Sequence, residues 1–175
     1  MSLIGNAAGQ GADVAVFPEL AVTGAIDDDV LKADPAILSE ALARIQDEAK
    51  RQDIAVIFGM PYPDGTHRRN SAFVIGRDGT LLTRYDQMVV DRRDLFAESQ
   101  DAAAMWFALQ GVPAIVTVGS DARWNEIAEL AAVHGAQLLF NIAYDRDTSE
   151  EASLLRTQMW VQLASFHTFG ATVNA

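Results

Sequence analysis

The chain has 175 residues, 50% of them hydrophobic, with a formal net charge of -11 and no cysteine. That length suits one domain with a sizeable core and is short for two, while the acidic average field, unbroken by any Lys/Arg run, argues against nucleic acid and membrane surfaces as partners. Without cysteine there are no disulfides, no thiolate metal sites and no cysteine nucleophile.

No apolar run reaches the length of a bilayer span, and the opening residues MSLIGNAAGQG show neither the basic region nor the apolar core of a signal peptide, so a cytoplasmic chain is expected. Gly11 to Leu20 begins with a glycine-rich approach and runs into Val14-Ala15-Val16-Phe17, a short continuous apolar segment of the buried-strand type. Pro18 ends it and Glu19 follows. A carboxylate placed there is either a solvated loop residue or a group whose desolvation is offset by partners or by work. Asp27 to Asp29 read as a solvated acidic loop. Asp34-Pro35 then offers a cap and a proline at the first helical position. Ile37, Leu38, Ala41, Leu42, Ile45 and Ala49 follow on one helical face, opposite Glu40, Arg44, Asp47, Glu48 and Arg51.

Ile54 to Phe58 is the next buried strand, closed by Gly59. Between Ser71 and Tyr85 the runs SAFVIG and TLLTRY flank Arg77-Asp78-Gly79, whose Asp-Gly pair signals an antiparallel hairpin. Gln87 to Gln110 reads as a loop with short elements. Ala114 to Glu126, AIVTVGSDARWNE, is a strand that stops at Gly119 and turns into a helix over Trp124 to His134, with Ile127, Leu130, Ala131 and Val133 as its inner side and Gly135 as its stop. Such turns put side chains at the carboxyl end of a strand, where open α/β sheets collect ligands. Gln137 to Ile142 is a further strand. Leu154, Leu155, Met159, Leu163 and Phe166 recur at helical spacing over Glu151 to Thr168, and Gly170 ends that helix before a strand at Ala171-Thr172-Val173.

Three stretches in order, VFPELAVTG (Val16 to Gly24), GMPYPDGTHRRNSAFVIGRDGTLLTRYDQ (Gly59 to Gln87) and VGSDARWNEIAELAAVHGAQLLF (Val118 to Phe140), resemble the carbon–nitrogen hydrolase family, also called the nitrilase superfamily. The resemblance runs over nearly the whole chain as one domain, residues 1–175. It implies an α/β fold, a sandwich of two β-sheets flanked by helices (α-β-β-α), here incomplete at both ends: the family's first strand and helix and its closing strands have no counterpart. It also implies hydrolysis of non-peptide C–N bonds, as in amides and nitriles, by a Glu–Lys–Cys triad with no cofactor, and a homodimer packed on the helices after the turn. Glu19 matches the family's general base. The lysine position, two residues after Tyr85, is Gln87, and the cysteine position, two before Asp121, is Gly119. Asp121, Arg123 and Glu126 keep the turn pattern, Asn125 stands where a proline is usual, and Ser165-Phe166 stand where Glu-Asn is usual.

A glycine supplies no nucleophile, and glutamine stabilises an oxyanion less than an ammonium. Inactivity in catalysis is therefore expected, with a small amide or nitrile-like ligand as the partner to consider. Ser120 is the alternative nucleophile, although its surroundings lack the second glycine of a G-x-S-x-G elbow. It would need a base in hydrogen-bond reach, for which His67, His134 and His167 are the candidates. These histidines show no metal-ligand spacing. Trp106, Trp124 and Trp160 read as packing residues rather than ligand platforms.

Overall fold

The computed structural model describes residues 2–144, 157, 161, 164 and 168–174. Two four-stranded sheets face each other. The first has the order β1 (Val14–Val16), β2 (Ala55–Asp64), β3 (His67–Ile75) and β4 (Leu81–Asp86); β1 and β2 are parallel and the rest antiparallel. The second has the order β5 (Trp106–Leu109), β6 (Val112–Val118), β7 (Leu138–Ala143) and β8 (Phe169–Asn174), antiparallel between β5 and β6 and parallel thereafter.

The two-residue period of a strand explains the layering. Along β2, Ala55 and Ile57 join Ala72, Val74 and Tyr85 in the cluster that also holds Ala114, Val116, Val118 and Ile142 of the second sheet. The intervening Val56, Phe58 and Met60 point the other way, with Phe73 and Ile75, and meet Ile4 of helix α1 (Leu3–Gly9) and Leu38 and Ala49 of helix α3 (Pro35–Gln52). Phe58 and Phe73 stack there at 5.4 Å between ring centroids. Helix α4 (Asn125–Val133) packs Ile127 and Ala131 beside Ile115 and Leu139. This is the expected α/β sandwich. Asp34 accepts a hydrogen bond from Ala36 N at 2.8 Å and caps α3, with Pro35 behind it, and the β3–β4 hairpin turns at Asp78-Gly79 as its sequence requires.

Several expectations need correction. A helix, α1, precedes the first strand where none was assigned, its start capped by Ser2 on Gly5 N. Asp27 to Asp29 are the first turn of helix α2 (Asp27–Lys32) rather than a loop: three carboxylates at a helix N-terminus suit its partial positive charge, and Val30 is fully buried beneath them. Strand β2 does not stop at Gly59 but continues to Asp64 through Pro61 and Pro63; β1 pairs with it only up to Ile57, so the prolines lie where no neighbour on that side needs their N–H. Gln87 to Gln110, by contrast, is a loop with short elements as expected: a 3-10 turn (Ala102–Met105) and β5, joined to β6 by Gln110-Gly111, both with positive φ as a two-residue hairpin demands. The buried faces of the helices are narrower than their apolar spacing suggests, since Ile37 is 64%, Leu130 41% and Val133 76% exposed. Gly170 lies within β8 rather than ending a helix. In the segment Glu151 to Thr168, Thr157, Val161 and Ala164 are helical, and the apolar residues on which that helix was expected, with Trp160, Ser165, Phe166 and His167, lie outside the described residues.

Backbone crowding at Gly59 couples this fold to the residue after β1. A Cβ there would lie 2.5 Å from Leu20 N and 2.6 Å from the Glu19 Cα. Gly59→Ala should therefore destabilise the chain by about 1–3 kcal/mol, the cost of overpacking, whereas Gly9→Ala at the open end of α1, with nothing within 4 Å of its Cβ, should be neutral or slightly stabilising. Urea unfolding of the two variants reads the opposite signs.

Candidate functional site

The chain leaves β1 still pairing with β2, Phe17 N donating to Ile57 O and Gly59 N donating to Pro18 O, and then bends sharply at Leu20, whose φ is +54°. A buried leucine in the left-handed region costs about 1–2 kcal/mol, tolerated because Gly59 leaves room for the bend. The bend sends Glu19 inward. Its Oε1 accepts from Asn70 Nδ2 at 2.7 Å and its Oε2 accepts from Tyr144 N, just past β7, at 2.9 Å.

Gln87 and Gly119 reach the same place from opposite sheets. Gln87, just beyond β4, accepts from Asn70 Nδ2 at 2.8 Å and donates through Nε2 to Val118 O at 3.3 Å and Ser120 Oγ at 3.2 Å. Gly119 opens the 3-10 turn Gly119–Arg123 after β6 with φ +52°, and a Cβ built on it would sit 3.0 Å from both Glu19 Oε2 and Gln87 Nε2. Glu19, Gln87 and Gly119 are thus brought into contact, with Asn70 bridging the two side chains. The space beside the glycine is already narrowed by the glutamate and the amide.

Ser120 is buried and donates to Val89 O at 2.6 Å; its other partner is the Gln87 amide. No imidazole or carboxylate hydrogen-bonds it among the described residues, which do not include His167. His134 holds Leu130 O at 2.9 Å through Nδ1 at the end of α4, with Trp106 5.7 Å away, and His67 opens β3 on the surface. Trp124 is 50% exposed and is not a core residue.

Asp121 is the group that the pattern of residues underrated. It is fully buried and accepts from Tyr85 OH at 2.7 Å, Val89 N at 2.8 Å and Met88 N at 3.3 Å. Burial pushes its carboxyl up to about 6 against these hydrogen bonds, and burial beside Asp121 drives the Tyr85 hydroxyl far above the ordinary tyrosine range. Asn70 was visible only as part of a matched motif. Its Oδ1 is buried without a hydrogen-bond partner among the described residues, an acceptor left open beside Glu19.

Among the described residues no lysine or arginine hydrogen-bonds Glu19. Burial pushes its carboxyl up from 4.5 to about 7; the Asn70 and Tyr144 hydrogen bonds pull it down, and the charges of Asp121 and Asp91 add to the rise.

The carbon-nitrogen hydrolase family model matches residues 1–169. The chain belongs to the carbon–nitrogen hydrolase family. No curated protein matches it in sequence. Among solved structures, an amidase from Nesterenkonia sp. superposes on this family member with a TM-score of 0.86 at 20% identity, covering 98% of this chain and 66% of that one. The amidase from Nesterenkonia sp. AN1 with alanine in place of a cysteine, in complex with butyramide, gives the same TM-score, identity and coverage. A further variant of it, with covalent addition of the acetamide moiety of fluoroacetamide at the active-site cysteine, gives a TM-score of 0.85 at 20% identity, covering 98% of this chain and 66% of that one. The likeness is one of fold, and this carbon–nitrogen hydrolase chain spans about two thirds of the length of that amidase.

The raised Glu19 carboxyl makes stability depend on pH. The folded chain holds this proton more tightly than the unfolded chain, so Glu19's contribution is complete below pH 4.5 and is lost as pH rises through about 7, a loss of roughly 3 kcal/mol. Glu19→Gln should flatten the fall in urea-unfolding free energy between pH 5 and pH 8 by about that amount. Parallel profiles for the two proteins would show that Glu19 is not the group responsible.

Proposed function

We propose that this chain is a non-hydrolysing carbon–nitrogen hydrolase domain that holds a small amide at the Glu19–Asn70–Gln87 cluster without cleaving it. The observation that carries the reading is Gly119: the position matched to the nucleophile has no side chain, and Ser120, the hydroxyl next to it, has no base hydrogen-bonded to it among the described residues. The lysine position holds the neutral Gln87, so positive charge for a developing oxyanion is missing as well, and each of these losses costs orders of magnitude in rate. What the cluster keeps is acceptor capacity, in the Glu19 carboxylate and in the unpaired Asn70 Oδ1. An amide NH2 supplies the donors that such acceptors lack. The butyramide complex of the Nesterenkonia amidase supports the choice of ligand class. Ser120 gains no support as a nucleophile, because its hydroxyl hydrogen is committed to a backbone carbonyl.

Incubation with butyramide or acrylamide should release no measurable ammonia, while butyramide should shift the amide resonances near Glu19 and Tyr144, and Asn70→Ala should abolish that shift. Ammonia release that disappears in Ser120→Ala would overturn the inactive reading. Absence of any shift would overturn the ligand.

Self-association belongs to the same proposal. Trp124, Leu130 and Val133 leave apolar surface on or beside α4, and Phe169 is 76% exposed on β8, the edge of the second sheet among the described strands. Sedimentation at micromolar concentration should show a dimer, and Val133→Glu with Leu130→Glu should shift it to monomer; a wild-type monomer would count against it. A cytoplasmic setting is part of the proposal, tested by cell fractionation. No helix among the described residues is long and apolar enough to cross a membrane.

A further inference from the structure

A cavity of about 470 Å³ lies between the tip of the β2–β3 hairpin, the start of α3 and residues 93–97. None of Glu19, Asn70, Gln87 or Gly119 lines it. Its apolar wall includes Leu38, Pro63 and Phe96, and its polar wall includes His67, Arg68 and Arg93.

The charged groups around this cavity, apart from Arg68, are engaged among the described residues. Arg93 is paired with Glu98 at 2.5 Å, and Asp94, the carboxylate among the described lining residues, lies 3.8 Å from Arg92, which also pairs with Asp27 at 2.6 Å. Asp34, next to the lining residue Pro35, is engaged in capping α3, and Asp64 at the hairpin tip is paired with Arg69 at 2.9 Å. Arg68 is left over. Its Nη2 donates to Leu31 O at 3.1 Å, and it has no ion pair among the described residues. A guanidinium has five N–H donors in a planar fork that matches a carboxylate, so most of its capacity is unspent. A half-buried cation beside an apolar wall, on a chain otherwise strongly acidic, asks for a ligand with one negative charge and a short hydrocarbon body. A dianion such as phosphate would meet the field of a chain with net charge -11, and Asp94 within the lining, at twice the cost.

We propose that this cavity is a binding site for small monocarboxylates, with Arg68 holding the carboxylate through paired N–H bonds and Leu38, Pro63 and Phe96 covering the hydrocarbon. The site is separate from the Glu19 cluster and stands or falls independently of the function proposed for that cluster.

Titration of the isotope-labelled chain with butyrate, followed by amide chemical shifts, tests the assignment. Butyrate should shift residues 64–68 and 93–97 saturably, and butyramide, the same shape without the charge, should leave them in place. Arg68→Gln should weaken butyrate binding roughly ten- to a hundredfold, the loss of a charge-assisted pair. Ala97→Glu, which adds a like charge to the cavity wall while Arg68 is kept, should weaken it too and guards against a folding defect in the first variant. Unchanged butyrate affinity in a folded Arg68→Gln protein, equal shifts with butyramide, tighter binding of inorganic phosphate than of butyrate, or no saturable shift would each overturn the proposal.

Discussion

The two sheets are locked in register by one buried carboxylate. Asp121, at the turn after β6 of the second sheet, takes the hydroxyl of Tyr85 from β4 of the first and the backbone amides of Met88 and Val89 that follow it. Ser120 returns a bond to Val89 O, and Gln87 reaches Val118 O. The apolar contact between sheets is strong but non-directional, and would tolerate sliding. Hydrogen bonds to a buried charge do not tolerate it, because a group pulled from its donors loses them in a medium where water cannot substitute. The position of Gln87 opposite Gly119 follows from this lock, since both lie within two residues of its ends.

Glu19 is placed by a different device. Its backbone bends at a strained Leu20 over a glycine that admits the close approach, and its carboxylate is then held from the first sheet by Asn70 and from the second by Tyr144 N. The cluster is therefore assembled by elements from both sheets rather than by any one loop. It also carries two buried acids, Glu19 and Asp121, each pushed upward by burial and, among the described residues, with no lysine or arginine hydrogen-bonded to either. Such a pair strains the fold as pH rises. A cation between them would relieve it, and Gln87, standing where the family's lysine is matched, answers the hydrogen bonding but not the charge.

Local sequence made some of this legible. The Asp34-Pro35 helix start, the Asp78-Gly79 hairpin and the strand that stops at Gly119 each rest on a rule that acts within a few residues, and the structure follows them. The narrowness of the buried faces on α3 and α4 does not appear in their apolar spacing, because exposure of Ile37 or Val133 is decided by where the neighbouring sheet ends. Asp27 to Asp29 look like a solvated run until Val30 is seen to be buried under them, and the Gln110-Gly111 turn lacks the asparagine or aspartate that marks its type.

The sequence by itself determined the family, the strand and helix types over most of the chain, and the absence of a thiol and of a lysine at two matched positions, since these depend on residue identity and short-range geometry. Only the tertiary structure decided that Glu19 is buried with Asn70 and Tyr144 as partners, that Gly119 is crowded by Glu19 and Gln87, that Ser120 spends its hydroxyl on Val89, and that Arg68 has no ion pair among the described residues. Each of these joins residues from tens of positions to over a hundred apart, and the energy of a buried polar group is set by which donors and acceptors the fold brings within 3 Å of it, a quantity that no local pattern encodes.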